Sequence, residues 1–370
     1  MLIANRTADV LSLVAPNGLG HFRRQVGILS RLLERIPDVR IHVLCADFQM
    51  ALTRDWDLAV EFFADPRVER TGGILDPGIV WSTDASRYDD GSLLNWAERL
   101  RRVTALEQAR LVVSDNLAGA LAFRPDAVLV GSFLWGDVLA RAHSESRPVR
   151  TFAAFESELL ARHRPPMLCL KDMAMPAVVE RTNAVPLGWM CEHGPMPQRH
   201  EPAVRRVGLL GGANGAADAL LARAARELCS TSKYEVALPK SLSVERQGTV
   251  VFGHRQEDYA GLSAAICRPG LGTVTACIAE GVPMVTIHEG PSNPELSHVG
   301  ERLASLGIAV DLGADPDERS VLAAVEKVLE PSTAARMRSQ MLGLPRGGLE
   351  RAADFLAARL QAAYSATSAA

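Results

Sequence analysis

The sequence lacks the marks of several protein classes. Its six cysteines are scattered over 370 residues, with no CxxC pair and no metal-ligand spacing. Neither sign of charge dominates, because 40 basic and 43 acidic side chains give a net charge of -3. This balance does not indicate a nucleic-acid binder or a polybasic membrane surface. The cysteine pattern instead predicts reduced, mostly buried thiols of a cytoplasmic protein.

Long apolar runs are absent as well. No stretch approaches the roughly 20 consecutive apolar residues of a membrane-spanning helix. The first ten residues, "MLIANRTADV", lack the basic start and apolar run of a secretory signal. We therefore expect a cytoplasmic protein, and peripheral membrane contact stays open.

What is present is an alternation of apolar, β-rich runs with helical patterns. "VLSLVAP" and "VRIHVLCA" are two such runs, and the alternation predicts doubly wound parallel sheets. Because the chain is too long for one ordinary core, we predict two Rossmann-like domains, over residues 1–192 and 206–346. A linker rich in proline and histidine is predicted over 193–205. Residues 347–370 form a C-terminal helix and tail that either closes the second domain or crosses back to the first.

A glycine turn separates the first predicted strand from the first predicted helix. In "LVAPNGLGHFRRQ", Gly18 and Gly20 allow a tight turn at the carboxyl edge of the sheet, where open α/β sheets bind ligands. His21 then lies at the helix N-terminus, whose partial positive charge favours the neutral imidazole that can act as a base. A turn with a helix-start histidine is equally typical of a purely structural element.

A second glycine turn lies in "CRPGLGTVTACIAEGVPMVTI". Backbone N–H groups of Gly270, Gly272 and Thr273, at the start of a helix, could hold a phosphate. The loop in "GLLGGANG" also follows a strand. No turn completes GxGxxG with a well-placed acid, which disfavours an NAD-dependent enzyme. No metal site is predicted, and "YDDG" is interpreted as a solvated turn.

The GxGH turn, together with "RPGxGTxxxxxxxGVPM" late in the second domain, resembles the GT-B glycosyltransferases. The most similar branch contains the peptidoglycan GlcNAc transferase MurG and the macrolide and plant UDP-sugar transferases. The resemblance implies two Rossmann-like domains that face each other across a cleft. It also implies that the first domain binds the acceptor and the second the nucleotide-sugar.

Carried over position by position, the resemblance implies roles for individual residues. His21 corresponds to the general base on the acceptor hydroxyl, and Asp115 to the acid that orients it. Candidates for the acceptor cleft are Gly18, Gly20, Ser132 and Trp135. Candidates for donor binding are Gly211, Gly212, Asn214, His254, Arg268, Gly270, Gly272, Thr273, Glu289, Asn293 and Glu295.

The sequence also departs from the family. Ala276 stands where many members have a ribose-binding glutamate, and the nearest acid, Glu280, is interpreted as a surface residue near the helix end. The acidic and amide pair that usually touches the sugar is replaced by "HEGPSNPELSH". In the first domain, Trp135 could stack on a sugar, but an aromatic residue beside a strand end is more typical of a core. Glu156 is interpreted as a carboxylate at the start of a helix.

The resemblance implies metal-independent, inverting transfer of a sugar to an acceptor hydroxyl, without a separate cofactor. A UDP-sugar is the favoured donor and a dTDP-sugar the second choice. The acceptor is a small molecule, a lipid-linked molecule or a polysaccharide. Two alternatives stay open: a nucleotide-sugar hydrolase of the kind found in pseudaminic acid synthesis, and a non-catalytic nucleotide-sugar-binding or scaffold protein.

Overall fold

The computed structural model describes residues 8–16, 18–53, 59–64, 70–71, 74–75, 108–191, 204–211, 218–231, 233–239, 242 and 248–368. The chain divides into two compact units. The first is made of Met1–Met190 and Gly347–Ala370, and the second of Cys191–Arg346. All but the last two residues of the predicted linker lie outside the described residues.

The first unit is built on a parallel sheet, as the alternating pattern predicts. Seven of the described strands form it, in the order β3-β2-β1-β6-β7-β8-β9. They are β1 (Val10–Leu13), β2 (Ile41–Cys45), β3 (Val60–Ala64), β6 (Leu111–Asp115), β7 (Val128–Val130), β8 (Pro166–Leu170) and β9 (Asn183–Leu187). Two short strands, β4 (Arg70–Thr71) and β5 (Ile74–Leu75), form a separate antiparallel pair.

Helices cover both faces of this sheet, so its central strands are apolar at nearly every position. Strand β6, for example, is buried along its whole length. The described helices of this part of the chain are α1 (Leu19–Arg35), α2 (Asp47–Met50), α3 (Trp135–Ala142), α4 (Arg147–His163) and α5 (Pro176–Arg181).

The second unit repeats the architecture. Within the described residues its parallel sheet has the order β12-β11-β10-β13-β14-β15. The strands are β10 (Arg206–Leu210), β11 (Glu235–Pro239), β12 (Thr249–Phe252), β13 (Ala264–Cys267), β14 (Met284–Thr286) and β15 (Ala309–Asp311). The helices are α6 (Asp218–Ser230), α7 (Gln256–Ala260), α8 (Leu271–Glu280), α9 (Pro294–Ser305), α10 (Glu318–Leu329) and α11 (Pro331–Leu342).

The last helix, α12 (Gly348–Ser368), returns to the first unit. Its Leu356 and Leu360 are fully buried in one core cluster with Phe22 of α1. A Cβ added to Gly27 of α1 would lie 3.2 Å from a methyl group of Leu349, so the two helices approach closely at that glycine. Of the two arrangements that the sequence left open, the structure has the C-terminal helix crossing back to the first domain.

The cysteines of the chain are free thiols, most of them in the core. All six cysteines are free and five are buried, as the sequence predicts. Burial raises the pKa of the Cys267 thiol to about 12, so this residue beside the second glycine turn is not a thiolate near neutral pH. Across the described residues, no helix is both long enough and apolar enough to cross a membrane.

Candidate active site

His21 and Asp115 meet at the point where the first sheet reverses its strand order. Strands β1 and β6 are neighbours, but the chain continues from β1 towards β2 and from β6 towards β7, on opposite sides. The carboxyl ends of such a strand pair leave a crevice at the sheet edge. His21 lies in the first turn of α1, which follows β1, and Asp115 is the last residue of β6.

The glycine turn before His21 is held in a specific backbone shape. Gly18 precedes α1 with a φ of 138°, which an L side chain rarely adopts, so this position requires glycine. The buried amide of Gln49 donates hydrogen bonds to the carbonyl oxygens of Ala15, at 3.0 Å, and Gly18, at 2.8 Å. Sequence reasoning missed Gln49, which lies in the polar stretch after β2 and carries no motif.

The imidazole of His21 is tied to a fully buried carboxylate. Its Nδ1 lies 2.9 Å from Oδ2 of Asp115, and the same oxygen accepts a hydrogen bond from the Ala15 N–H at 3.1 Å. The other oxygen, Oδ1, accepts a hydrogen bond from Nη2 of Arg24. No motif in the sequence indicates a role for Arg24, although its spacing of three residues from His21 is a signal for contact.

The protonation state of Asp115 fixes the tautomer of His21. Burial by itself would raise the pKa of Asp115, but the charges and hydrogen bonds of Arg24 and His21 lower it to about 2. The ionised carboxylate only accepts hydrogen bonds, so the Nδ1 atom facing it carries the proton. Nε2 then keeps its lone pair, has no hydrogen-bond partner among the described residues, and belongs to a side chain that is 17% exposed.

The acceptor-cleft candidates are mostly buried. Trp135 is only 7% exposed and belongs to the apolar core. Phe133 stands between it and the histidine, with ring centroids 4.8 Å from Trp135 and 6.2 Å from His21. Ser132 is 3% exposed, and its hydroxyl finds no partner within the described part of the chain. Gly20 lies in the first turn of α1.

Glu156 corrects one sequence interpretation. It was expected at the start of its own helix, but it lies in the middle of α4 and is 2% exposed. Its Oε1 accepts a hydrogen bond of 2.7 Å from the N–H of Gly136, in the first turn of α3. The carboxyl group therefore caps a different helix, the one that follows the Ser132–Phe133 segment.

The second unit presents its glycine turns at its own reversal point. Strands β10 and β13 are neighbours there, Gly211 follows β10, and Gly270 follows β13. No side chain caps α8 among the described residues, and a Cβ added to Gly270 would meet nothing within 4 Å. Gly272 and Thr273 lie in the first turn. Gly212 and Asn214 lie outside the described residues.

The backbone of this turn leaves the positive end of a helix dipole open to an anion. Arg268 adds a side-chain charge, and its Nε donates a 2.7 Å hydrogen bond to Oε1 of Glu289. Both side chains are mostly buried, at 14% and 16% exposure. Glu289 therefore holds Arg268 in place.

The other donor candidates have local partners. His254 adopts a left-handed backbone with a φ of 61°, and its Nδ1 lies 3.4 Å from the hydroxyl of Tyr259. Asn293 caps α9, because its side chain accepts a hydrogen bond from the N–H of Leu296. Glu295 lies in the first turn of the same helix and is half-buried.

A second histidine–carboxylate pair, missed by sequence reasoning, lies beside these residues. His288 is 8% exposed, and its Nδ1 accepts a hydrogen bond from the Gly290 N–H at 3.1 Å. Nε2 must then carry the proton, and it lies 3.4 Å from Oδ2 of Asp311. Both ring nitrogens are therefore occupied, which suits a structural histidine rather than a base.

Glu280 is not the surface residue that the sequence suggested. It is 3% exposed, and its carboxylate accepts a hydrogen bond of 2.9 Å from Nε2 of Gln256 in α7. Ala276, four residues earlier, is partly exposed on α8. Glu280 thus joins two helices, and its position in the turn after Ala276 does not offer a free carboxylate.

No group of three or more histidine, cysteine, aspartate or glutamate residues that could hold a metal ion is found within the described residues. No protein-family model matches the chain, and no curated protein sequence matches it significantly.

Solved structures do match the whole chain. The glycotransferase of kitacinnamycin is 16% identical, with a TM-score of 0.63 over 96% of this chain and 100% of that one. UGT71G1 of Medicago truncatula, complexed with UDP-glucose, is 12% identical, with a TM-score of 0.66 over 96% and 99%. UGT89C1 of Arabidopsis thaliana, complexed with quercetin, is 13% identical, with a TM-score of 0.64 over 96% and 100%. The chain therefore has the GT-B fold, with two Rossmann-like domains, that is found in glycosyltransferases.

Proposed function

We propose that the protein is a glycosyltransferase that moves a sugar from a nucleotide-diphosphate donor to an acceptor hydroxyl, with His21 as the general base. The observation that carries the proposal is the pair of His21 and Asp115 at the reversal point of the first sheet. There the buried carboxylate holds Nδ1 at 2.9 Å, so that Nε2 is left as the basic atom. The GT-B fold supports the same activity.

The chemistry follows from that tautomer. Nε2 takes the proton of the acceptor hydroxyl as its oxygen attacks the anomeric carbon of the sugar. The bond from that carbon to the diphosphate breaks, the diphosphate leaves with the electron pair, and the configuration inverts. The imidazole is then an imidazolium, which the Asp115 carboxylate stabilises through Nδ1. A base placed in this way contributes roughly 10²- to 10⁴-fold in rate.

The diphosphate is assigned to the glycine turn of the second unit. The uncapped start of α8 and the guanidinium of Arg268 stabilise its negative charge without a metal ion. A UDP-sugar is the favoured donor, supported by the UDP-glucose bound to the similar UGT71G1. A dTDP-sugar is the second choice.

A small molecule with a free hydroxyl is the proposed acceptor, supported by the quercetin complex of the similar UGT89C1. The six free cysteines support a reducing, cytoplasmic location for the reaction.

The first test separates donor binding from catalysis. Thermal shifts with UDP, dTDP, GDP and CMP identify the nucleobase of the donor. A nucleotide that binds only the folded protein raises the melting temperature of that protein. The wild type is then assayed with the matching sugar donors and a panel of hydroxylated acceptors, with and without EDTA. We expect His21→Gln to lower transfer roughly 10²-fold or more while the thermal shift by the nucleotide persists.

His163→Gln is the matched control, because this histidine lies in the last turn of α4, which leads into β8, and β7 separates β8 from β6 in the sheet. Its transfer rate should equal that of the wild type. Undiminished transfer by His21→Gln would overturn the assignment of the base. Release of free sugar at the same rate with and without acceptors would identify a hydrolase instead, and EDTA-sensitive transfer would contradict metal independence.

A further inference from the structure

The pair of His21 and Asp115 has a third member that no motif indicates. Arg24 lies one helical turn after the histidine, and its Nη2 contacts Oδ1 of Asp115 while approaching Nδ1 of His21 to 3.3 Å. We propose that Arg24 is a positioning residue for the base: it fixes the buried carboxylate that orients His21, and its own charge offsets part of the Asp115 charge at the imidazole. This inference rests on the proposed function of His21.

The geometry divides the carboxylate between two partners. Oδ1 accepts a hydrogen bond from Arg24, and Oδ2 accepts hydrogen bonds from the Nδ1–H of His21 and the backbone N–H of Ala15. Three donors from two chain segments thus fix a carboxylate that is 0% exposed. Arg24 is itself only 12% exposed, so solvent screens this charge pair weakly.

The approach of Arg24 to His21 has an electrostatic consequence. Since Nδ1 carries the proton, the guanidinium N–H and the imidazole N–H are both donors, and their 3.3 Å contact is not a hydrogen bond. A positive charge at this distance opposes protonation of the ring, whereas the carboxylate at 2.9 Å favours it. The two charges therefore act on the ring in opposite directions.

Among the described residues, the charged groups in contact with His21 are Asp115 from β6 and Arg24 from its own helix. The described ring contact of His21 comes from Phe133, which is apolar. The described residues before α1, Val14 to Pro16 and Gly18, contain no titratable side chain. Removing the charge of Arg24 should thus expose the ring to an uncompensated carboxylate.

The titration of the imidazole tests this directly and does not depend on activity. Histidine-labelled full-length protein is titrated by NMR, and the His21 signal is the one of nine that disappears in His21→Gln. In Arg24→Gln we expect the pH midpoint of this signal to rise by about one pH unit or more. Arg24→Met, which keeps the apolar stem, should do the same, and Arg24→Lys, which keeps the charge, should stay close to the wild type.

Activity gives the second readout. The acid limb of the pH profile of kcat/KM reflects protonation of the general base in the free enzyme. This limb should move to higher pH in Arg24→Gln and Arg24→Met but not in Arg24→Lys. Arg31→Gln is the matched control, because Arg31 lies on the same helix in a 2.6 Å pair with Glu34. Its profile should be that of the wild type.

Two results would overturn the inference. One is an unmoved His21 titration in both neutral variants, and the other is an equal rise in Arg24→Lys, which would show that the charge is not the cause. Failure of the proposed function looks different: the titration shifts as expected, but His21→Gln has full transferase activity. A loss of rate that is the same at every pH would reduce Arg24 to a structural support and also contradict the inference.

Discussion

Replacing the buried Glu156 by glutamine should stabilise the first unit at alkaline pH. Burial raises the pKa of Glu156 from its usual 4.5 to about 7, against the opposing effects of the Gly136 N–H and of Arg181. The folded state therefore binds more protons than the unfolded chain between these two values. The contribution of Glu156 to the unfolding free energy is therefore fully present below about pH 4.5. It falls as the pH rises from about 4.5 to about 7 and does not change further above that.

The size of the effect follows from the same two values. Each pH unit between the folded and unfolded pKa corresponds to about 1.4 kcal/mol. An ionised Glu156 thus costs the folded chain about 3 kcal/mol at pH 8. Glutamine has almost the same shape and keeps an oxygen that can accept the hydrogen bond of 2.7 Å from the Gly136 N–H. The variant avoids the penalty without losing the cap of α3.

Urea unfolding followed by tryptophan fluorescence measures the unfolding free energy of the first unit in the intact protein. All five tryptophans lie in the sequence ranges of the first unit, so their fluorescence reports the unfolding of that unit. The unfolding free energy of Glu156→Gln should exceed that of the wild type by up to about 3 kcal/mol at pH 8, and the difference should shrink towards pH 5.

The control is Glu158→Gln, two residues along the same helix. Glu158 is 67% exposed and pairs with Arg162 at the surface, so its replacement should change little at either pH. A Glu156→Gln variant that is no more stable than the wild type at pH 8, or a gain that does not depend on pH, would refute the reasoning.

Four further predictions concern the glycine turns and the last helix. Leu356→Ala, on α12, should lower the unfolding free energy reported by tryptophan fluorescence by about 2–5 kcal/mol, and an unchanged value would contradict its packing in the first unit. Gly18→Ala should destabilise the first unit by about 1–3 kcal/mol because of its φ of 138°. Gly270→Ala, at a φ of -66° with open space around it, should melt like the wild type but bind UDP more weakly by calorimetry; equal affinity would argue against a phosphate at that turn. Gln49→Ala should lower kcat more than it raises KM, because it loosens the backbone of Ala15 and Gly18; a change confined to KM would contradict this.

Most of the fold could be predicted from local patterns. Strands covered on both faces are continuously apolar, and glycines mark the turns at their carboxyl ends, so the alternation of strands and helices is visible in the sequence. The contact between His21 and Asp115 could not be derived in this way. The two residues are 94 positions apart, and their contact requires β1 and β6 to be neighbours, a pairing for which the family resemblance was the only guide.

The residues that were missed or misplaced share a physical cause. Arg24 looks like any surface arginine, because a helical pattern shows which residues are apolar and not which charged ones meet a buried carboxylate. Glu156 was misplaced because its helix begins earlier, at Arg147, where Ser146 and Pro148 form a usual helix start. Glu280 was taken for a surface residue because its partner, Gln256, comes from a helix 24 positions away.

Under the proposed function, the two units would use one local motif for opposite electrostatic purposes. Helix α1 begins at the leucine of Gly18-Leu19-Gly20-His21, and α8 begins at the leucine of "GLGT", one residue after Gly270. At the first reversal point the strand beside β1, which is β6, ends in the carboxylate of Asp115. At the second, β13 leads into α8 and is itself followed by the guanidinium of Arg268. A carboxylate stabilises a base that gains a proton, and a guanidinium stabilises a diphosphate that gains negative charge. Arg24 and Glu289 offset part of these two charges, and the proposed transfer would still place a positive charge beside the carboxylate and a negative charge beside the guanidinium.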